Sequence, residues 1–372
     1  MKKKIRVGIL FGGQSAEHEI SLQSAKNIVE AIDKKKYEIV LIGIDKDGRW
    51  YLNDAAQLLL HSGPELPSLR TLGGTKKRVG LVPSKNSGQL VRLTDHRIEK
   101  ALDVVFPVLH GPFGEDGTVQ GLLKLANIPF VGAGVLGSAL GMDKDVMKRL
   151  LRNGGIPTAR CLVFHRSQTG EIKFADIARK VGLPFFVKPA NLGSSVGIHK
   201  VKGRRQWISA AKDAFRYDTK ILVEEYIQGR ELECAVLGNE NPIASVPGEI
   251  IPRHEFYSYQ AKYLDEHGAI LKIPAKLPPT VVKEVQEISI KTFKVLCCEG
   301  MARVDFFLRN NREVIVNEIN TIPGFTKVSM YPKLWEASGI PYTELIDRLI
   351  RLALERFRRE KKLRTSYAPA RS

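Results

Sequence analysis

The sequence predicts an α/β protein whose first domain is built on a parallel sheet. Residues 5–11 form a strand-length apolar run, residues 20–32 place apolar side chains on one helical face, and residues 38–44 form a second apolar run, which makes one βαβ unit. From Asp143 the pattern changes to short strands with helices beside them. A chain of 372 residues is expected to form two or three domains.

The charge of the chain is strongly basic but is concentrated at its ends. Lysine and arginine outnumber aspartate and glutamate by 58 to 40, a net charge of +18, which raises nucleic acid, an anionic membrane or phosphate-bearing ligands as partners. Residues 2–6 and a basic tail at 356–372 hold eleven of the basic side chains and only one acid. Terminal basic runs are usually solvated, and an RNP-type signature is absent, so no nucleic-acid partner is predicted.

The sequence favours a cytoplasmic protein without a membrane partner. No run approaches the roughly 18 consecutive apolar residues of a membrane-spanning helix, and the basic start has no cleavage pattern. The four cysteines, Cys161, Cys234, Cys297 and Cys298, lack the spacing of a zinc site or a disulfide framework. They are expected to be buried thiols in a reducing compartment.

The first strand ends in a glycine pair that does not match the common nucleotide motifs. Gly12 and Gly13 are not followed by a third glycine in register, and GxxxxGK[ST] is absent from the chain. Hydride transfer and Walker-type phosphate binding are therefore disfavoured. Residues 54–98 contain several glycines and prolines and are expected to be an irregular excursion with room for a hairpin.

A candidate site follows the apolar strand predicted at 102–109. His110, Glu115 and Asp116 lie in a glycine-rich turn before a helix predicted near 119–126. Ligand sites in open α/β sheets lie at such carboxyl ends of strands. The alternative is a plain turn whose two acids stabilise the start of a helix.

A second candidate site is a small-residue loop at 191–197 between strands predicted at 185–189 and 198–201. Its glycines would let backbone amides approach phosphate, with Lys188 as a point charge, although many such loops are only hairpin tips. Glu224 ends a further strand and Glu231 opens the next. They could accept hydrogen bonds from adenosine or could be ordinary edge charges.

The most informative segment is a predicted antiparallel hairpin formed by residues 302–308 and 313–319, with its turn at Asn310 and Asn311. That turn predicts Arg303 opposite Glu318. It also predicts Asp305 opposite Val316.

The polar side chains of this hairpin suggest a cation site. Asp305, Glu318 and Asn320 are predicted to share one face of strands that are otherwise largely apolar, and unpaired charges there would be costly. Oxygen ligands favour magnesium or manganese over zinc. A plain Arg303–Glu318 salt bridge is the alternative, and it leaves Asp305 and Asn320 unexplained.

Together these motifs resemble the D-alanine:D-alanine ligases of the ATP-grasp superfamily, from about residue 5 to residue 354. The matching motifs are Gly12-Gly13 with Ser15-Ala16-Glu17-His18-Glu19, His110-Gly111 with Gly114-Glu115-Asp116-Gly117, Met142-Asp143-Lys144, Lys188-Pro189, Gly193-Ser194-Ser195-Val196-Gly197, Tyr259 to Tyr263, Arg303-Val304-Asp305, and Asn317-Glu318-Ile319-Asn320-Thr321. The resemblance implies a two-part ATP-grasp fold with antiparallel sheets after the N-terminal parallel-sheet domain.

The resemblance also implies how the nucleotide and metals bind. Lys144 and Lys188 would hold the phosphates of ATP, and Glu224, the backbone of Ile227 and Glu231 would hold the adenosine. Two Mg²⁺ or Mn²⁺ ions would be held by Asp305, Glu318 and Asn320.

Two D-alanine molecules are the implied substrates. Glu17 would take the ammonium of the first, His110 would lie beside it, and Ser329 would contact the carboxylate of the second. Glu115, Ser194 and Tyr263 would form a hydrogen-bonded group lining the site.

The implied reaction is the phosphorylation of the first D-alanine, followed by attack of the second amine on the acyl phosphate. Lys262 would reach the transferred phosphate from a lid at 253–270 that excludes water, and Arg303 would steady the tetrahedral oxyanion. The lid departs from the family pattern, because Ser258 stands where an aspartate is usual.

The implied organisation is a substrate domain at 1–141, a central subdomain at 142–222, a C-terminal subdomain at 223–355 and the basic tail, in a homodimer. The alternatives are a D-alanine:D-lactate or D-alanine:D-serine ligase, a basic nucleic-acid binder, and a regulatory module that binds ATP without turnover. The hairpin and the lid lysine favour the ligase.

Overall fold

A computed structural model of the chain describes residues 3–54, 56–57, 78–83, 89–171, 173–194, 196–252 and 269–364. Within them the strands are β1 Ile5–Gly12, β2 Tyr37–Ile44, β3 Trp50–Leu52, β4 Val79–Val82, β5 Gln89–Arg92, β6 Val104–Val108, β7 Cys161–His165, β8 Phe185–Pro189, β9 His199–Val201, β10 Lys220–Glu225, β11 Gly229–Gly238, β12 Ile243–Ala244, β13 Gly248–Pro252, β14 Ala269–Lys272, β15 Gly300–Arg309 and β16 Glu313–Asn320. The α-helices are α1 His18–Ala31, α2 Thr118–Leu125, α3 Val135–Met142, α4 Lys144–Asn153, α5 Phe174–Val181, α6 Arg204–Tyr217, α7 Pro279–Val295, α8 Met330–Ala337 and α9 Tyr342–Glu360. The predicted α/β class is confirmed.

The first sheet has the strand order β3-β2-β1-β6, and β1 runs parallel to both β2 and β6. Both faces of β1 are covered, which is why its sequence is apolar from Val7 to Phe11. Val7, Ile9 and Phe11 pack in a core with α1 and α9, whereas Leu10 packs in a second core with α2. The C-terminal helix α9 therefore helps to close the first domain. It continues to Glu360, so the first residues of the predicted basic tail are helical.

The predicted excursion does contain a hairpin, since β4 and β5 form an antiparallel pair of their own. Among the described residues, no helix is both long enough and apolar enough to span a bilayer.

The second sheet has the order β7-β10-β8-β9 and is antiparallel throughout. Side chains alternate across it, as the period of two requires. Phe185 and Val187 pack in a core with α5 and α6. Phe186 and Lys188, on the same strand, line a cavity on the opposite face. One strand thus supplies both a core and a site.

The third sheet has the order β14-β13-β11-β15-β16, with β12 paired to β11. The predicted hairpin is present as β15 and β16, but its predicted register is wrong. Arg303 lies opposite Asn320, and Asp305 lies opposite Glu318. The loop takes three residues instead of two, because Arg309 pairs with Glu313.

A bulge in this hairpin shifts the register by one more residue. Phe306 pairs with Val316 and Asp305 with Glu318, which leaves Asn317 as the extra residue of β16. The bulge also reverses the alternation of side chains: Val316 before it and Ile319 after it pack in the same core. Glu318 consequently lies on the face away from that core.

Arg356 links α9 to the first domain. Its guanidinium donates to the backbone oxygens of Gly132 at 2.6 Å and Phe130 at 2.8 Å, and it stacks 4.5 Å from the ring centroid of Phe130. The side chain is buried. Removing it would leave two carbonyl oxygens buried without their donor.

We expect Arg356→Met to lower the free energy of unfolding by about 2–4 kcal/mol, measured by urea denaturation. Arg351→Met, on the same helix, is the matched control, because Arg351 pairs with Asp347 while remaining 63% exposed. The control should lose less than about 1 kcal/mol. Equal losses in the two variants would contradict a special role for Arg356.

Candidate active site

A cavity of about 190 Å³ lies between β8, β10, β16 and the loop that follows β8. All five residues predicted to contact ATP line it: Lys144, Lys188, Glu224, Ile227 and Glu231. Ser194 of the small-residue loop and Glu318 of the hairpin line it as well. The fold thus brings together motifs that are far apart in the sequence.

The floor of the cavity holds a buried carboxylate between two lysines. Glu224 lies 2.6 Å from the Nζ atom of Lys188 and 3.2 Å from that of Lys148. Burial opposes the charge on Glu224, but the two lysines outweigh it and lower its pKa. Burial likewise opposes protonation of Lys188, yet Glu224 and Glu318 raise the pKa of Lys188 above its usual value. For fully buried Lys148, the effect of burial exceeds the attraction of Glu224, and the pKa of Lys148 is lowered.

Lys148 also ties this cluster to the hairpin. Its Nζ atom donates to the backbone oxygen of Asn317 at 3.1 Å, and Lys188 lies 3.4 Å from the side-chain oxygen of the same residue. Lys148 was not predicted as a site residue, and Asn317 was named only as a member of a matching motif, with no role of its own. The spacing of Lys144 and Lys148, one helical turn apart on α4, was the available signal.

Lys144 opens α4 at the edge of the cavity. The helix is capped by Asp143, whose side chain accepts from the backbone amides of Asp145 and Val146. The Nζ atom of Lys144 donates to the backbone oxygen of Leu192 at 2.8 Å and lies 3.5 Å from Glu318. Lys144 therefore connects the small-residue loop to the hairpin.

The predicted cation ligands lie together on β15 and β16. Asp305 and Glu318 face each other across the pair, and Asn320 donates to Asp305 at 3.0 Å. The predicted Arg303–Glu318 pairing is wrong. Arg303 instead makes a bidentate contact with Asp305, at 2.7 Å for each bond, and lies 2.8 Å from Glu233.

Glu17 lies at the start of α1, across the small-residue loop from the cavity. Ser194 donates a hydrogen bond to Glu17, and Ser15 donates to the backbone oxygen of His110 at 2.7 Å. Gly111 has a φ of +73°, and a Cβ atom there would lie 2.5 Å from the carboxylate of Glu17. Glycine is therefore required beside Glu17.

Glu115 and His110 both contact the segment that follows β16. Glu115 accepts from the amide of Gly111 at 2.7 Å and from that of Ile322 at 3.1 Å, and the Nδ1 atom of His110 lies 2.9 Å from the backbone oxygen of Ile322. Burial, with Glu17 nearby, raises the pKa of Glu115 to about 8. Burial lowers the pKa of His110.

Ser329 lies at the end of the same segment and begins α8. Its hydroxyl accepts from the amide of Thr326 at 3.0 Å and lies 2.7 Å from the hydroxyl of Thr326. Lys262, Tyr263 and Ser258, together with residues 253–268 of the predicted lid, lie outside the described residues.

Two family models match the chain. One, described as the D-ala D-ala ligase N-terminus, matches residues 6–133, and the other, the D-ala D-ala ligase C-terminus, matches residues 150–351. The chain belongs to the D-alanine–D-alanine ligase family. The ligation of D-alanine with the use of ATP is the activity of this family, as the resemblance implied.

Individual relatives agree with this family. The chain is 55% identical to a D-alanine–D-alanine ligase of Oceanobacillus iheyensis, and the match covers 98% of this chain and 99% of the relative. It is 51% identical to D-alanine–D-alanine ligase A of Escherichia coli K12, and that match covers 98% of this chain and 100% of the relative. Among solved structures, the D-alanine-D-alanine ligase from Coxiella burnetii is 44% identical, with a TM-score of 0.82 over 96% of this chain and 98% of that one. The VanG D-Ala:D-Ser ligase from Enterococcus faecalis is 36% identical, with a TM-score of 0.81, and the match covers 94% of this chain and 100% of that one.

The elevated pKa of Glu115 predicts a pH-dependent contribution to stability in this ligase. An unfolded glutamate releases its proton near pH 4.5, whereas folded Glu115 retains it to about pH 8. The stabilisation that comes from protonated Glu115 is therefore complete below pH 4.5 and is lost as the pH rises from there to about 8. We expect the stability difference between wild type and Glu115→Gln to shift against wild type from pH 5 to pH 8 in urea denaturation.

Glu313→Gln, at an exposed glutamate of the hairpin, is the matched control for this pH series. A difference between wild type and Glu115→Gln that stays constant with pH would contradict the raised pKa of Glu115.

The position of Lys148 predicts an effect on ATP affinity. Lys148→Met removes the charge that holds one oxygen of Glu224 and releases Asn317, so the KM for ATP should rise roughly tenfold or more, as expected for loss of a buried charged partner. Lys212→Met, at an exposed site on α6, is the control. An unchanged KM in a normally folded Lys148→Met variant would show that this lysine does not shape the nucleotide site.

Proposed function

We propose that the chain joins two D-alanine molecules to D-alanyl-D-alanine through an acyl phosphate, with the residue roles given below. The observation that carries the proposal is the position of Ser194. It lines the cavity that holds Lys144 and Lys188, and it also donates a hydrogen bond to Glu17. A phosphate site and an ammonium acceptor therefore adjoin at one loop, as phosphoryl transfer to an amino acid carboxylate requires.

The lysines and acids of the cavity are assigned to ATP. Lys144 and Lys188 bind the phosphates, and Glu224, the backbone of Ile227 and Glu231 contact the adenosine. The support is their common lining of the cavity and the excess of positive charge around Glu224. Such a preformed field attracts phosphate without reorganisation.

Asp305, Glu318 and Asn320 fit Mg²⁺ or Mn²⁺. The donor set consists of oxygen atoms only, which suits these hard cations. Among the described residues, no group of three His, Cys, Asp or Glu side chains forms a metal cluster, and this set has two carboxylates and one amide. Two ions held there would offset charge on the phosphate oxygens.

The remaining residues are assigned to the amino acids. Glu17 accepts the ammonium of the first D-alanine, His110 lies beside that substrate, and Ser329 contacts the carboxylate of the second. Arg303 steadies the oxyanion, and its two contacts with Asp305 fix the guanidinium for that role.

Glu115, Ser194 and Tyr263 are assigned to the hydrogen-bonded group lining the site, and Lys262 to the transferred phosphate. The support for Tyr263 and Lys262 is the motif resemblance. The assignment of Ser194 is also supported by its contact with Glu17, and that of Glu115 by its contact with the backbone amide of Ile322.

Glu318→Gln should reduce turnover on the order of a hundredfold or more, because an amide cannot supply the charge of a metal-binding carboxylate. Steady-state phosphate release at ordinary magnesium concentration measures this. Glu313→Gln, on the same strand but exposed, is the control. Near-normal turnover in Glu318→Gln would remove Glu318 from the metal site.

The test of the whole assignment is phosphate release with ATP and each of D-alanine, L-alanine, D-serine and D-lactate. D-alanine alone should support turnover, and D-serine or D-lactate should add little as second substrate. The 36% identical VanG relative, a D-Ala:D-Ser ligase, motivates the D-serine arm. Preferred use of D-serine or D-lactate beside D-alanine would favour the alternative ligases.

We also propose a cytoplasmic homodimer in which residues 1–141, 142–222 and 223–355 form the three folding units. The four cysteines are free, which supports a reducing compartment, and the family resemblance supports the dimer. The expectation that all four thiols are buried is wrong, because Cys297 is exposed and Cys161 is half-buried. Light scattering of the purified chain measures its mass, and a monomer at micromolar concentration would contradict the dimer.

A further inference from the structure

Ser24 is a fully buried serine in the middle of α1. A serine inside a helix usually faces solvent or bonds to its own helix, because its hydroxyl needs partners. The hydroxyl of Ser24 instead lies 3.2 Å from the Nε2 atom of His110 and accepts from the amide of Phe325, also at 3.2 Å. It therefore connects three segments that are distant in the sequence.

The groups around His110 and Ser24 define which atom donates in each hydrogen bond. The backbone oxygen of Ile322 can only accept, so the Nδ1 atom of His110, at 2.9 Å, carries the ring proton. The amide of Phe325 can only donate, so the oxygen of Ser24 accepts there. The hydroxyl proton of Ser24 is then directed to the lone pair on Nε2 of His110. A neutral ring in one tautomer satisfies every partner.

The same network fixes the segment 321–329, which joins Asn320 to Ser329. The backbone oxygen of Phe325 accepts from Tyr342 at 2.6 Å and from Asn27 at 3.5 Å. Asn27 is one turn of α1 from Ser24. The segment is thus held by α1 on one side and by Glu115 and His110 on the other.

We infer that Ser24 is a positioning residue for both amino acids: its hydroxyl fixes the tautomer and orientation of His110, which lies beside the first, and anchors the segment that carries Ser329, which contacts the second. This inference rests on the proposed function. Ser24 acts through His110 and Phe325. The charged groups that act on the His110 ring are Glu17, which favours its protonation, and Arg303, which opposes it.

Ser24→Ala removes the donor to His110 and the acceptor for Phe325 and leaves little change in volume. The KM values of both D-alanine molecules should rise roughly 5- to 100-fold, the range for one or two buried hydrogen bonds. The KM for ATP should stay near that of wild type. Initial rates over a wide range of D-alanine concentration resolve its two binding events.

Nitrogen-15 spectra of histidine-labelled full-length chain give a readout that does not depend on activity. Among the eight histidines, the His110 signals are identified by their loss in His110→Asn. Wild type should show a protonated Nδ1 and an unprotonated Nε2. Ser24→Ala should move the Nε2 resonance, because that atom loses its donor.

Two control variants separate the contact with His110 from a loosened segment at Phe325 and from a general loss of stability. Asn27→Ala loosens Phe325 without touching His110, so the His110 signals should not move. Ser289→Ala removes a buried hydroxyl from α7, where it donates to the backbone oxygen of Val285, and reports the cost of such a change in general.

A protonated Nε2 in wild type would overturn the inference. So would a Ser24→Ala variant with unmoved His110 signals and unchanged KM values for both D-alanine molecules, or one whose kinetic losses only follow its folded fraction, as in Ser289→Ala. A chain that releases no phosphate with D-alanine would instead refute the proposed function, and the spectra would still decide the contact between Ser24 and His110.

Discussion

The candidate site depends on one buried carboxylate, Glu224, and on the two lysines that make its burial possible. An isolated charge would be costly there, and two ammonium groups more so, but together they compensate one another. Lys148 comes from α4, Lys188 from β8 and Glu224 from β10. The cluster therefore fixes a helix and two strands relative to each other before any ligand arrives, and its excess positive charge remains for an anion.

The same contacts connect the cavity to the hairpin of β15 and β16. Asn317 receives Lys148 on its backbone oxygen and Lys188 on its side chain, and Glu318 beside it lies near Lys144. A change in the position of the hairpin would thus be felt by both lysines that are assigned to phosphate. This mutual dependence keeps the cavity and the proposed cation ligands next to each other although they belong to different sheets.

Local pattern was sufficient to predict much of the fold and some of the site. The βαβ start and the hairpin of β15 and β16 follow from apolar periodicity and the two asparagines, which adopt φ values of 52° and 55°. Long-range partners were not predictable in this way. Nothing near Ser24 in the sequence indicates a contact with Phe325, some 300 residues away, and Lys148 resembles any helical lysine until Glu224 is placed beside it.

The failed prediction of register shows what the bulge at Asn317 achieves. In a regular hairpin the side chain of Glu318 would point to the same face of the sheet as those of Val314 and Val316, which lie in the apolar core. The extra residue reverses that phase, so Ile319 enters the core and Glu318 faces Asp305 instead. Two carboxylates directly opposite each other repel. Arg303 and Lys144 reduce this repulsion, and the divalent cations proposed for these carboxylates would reduce it further.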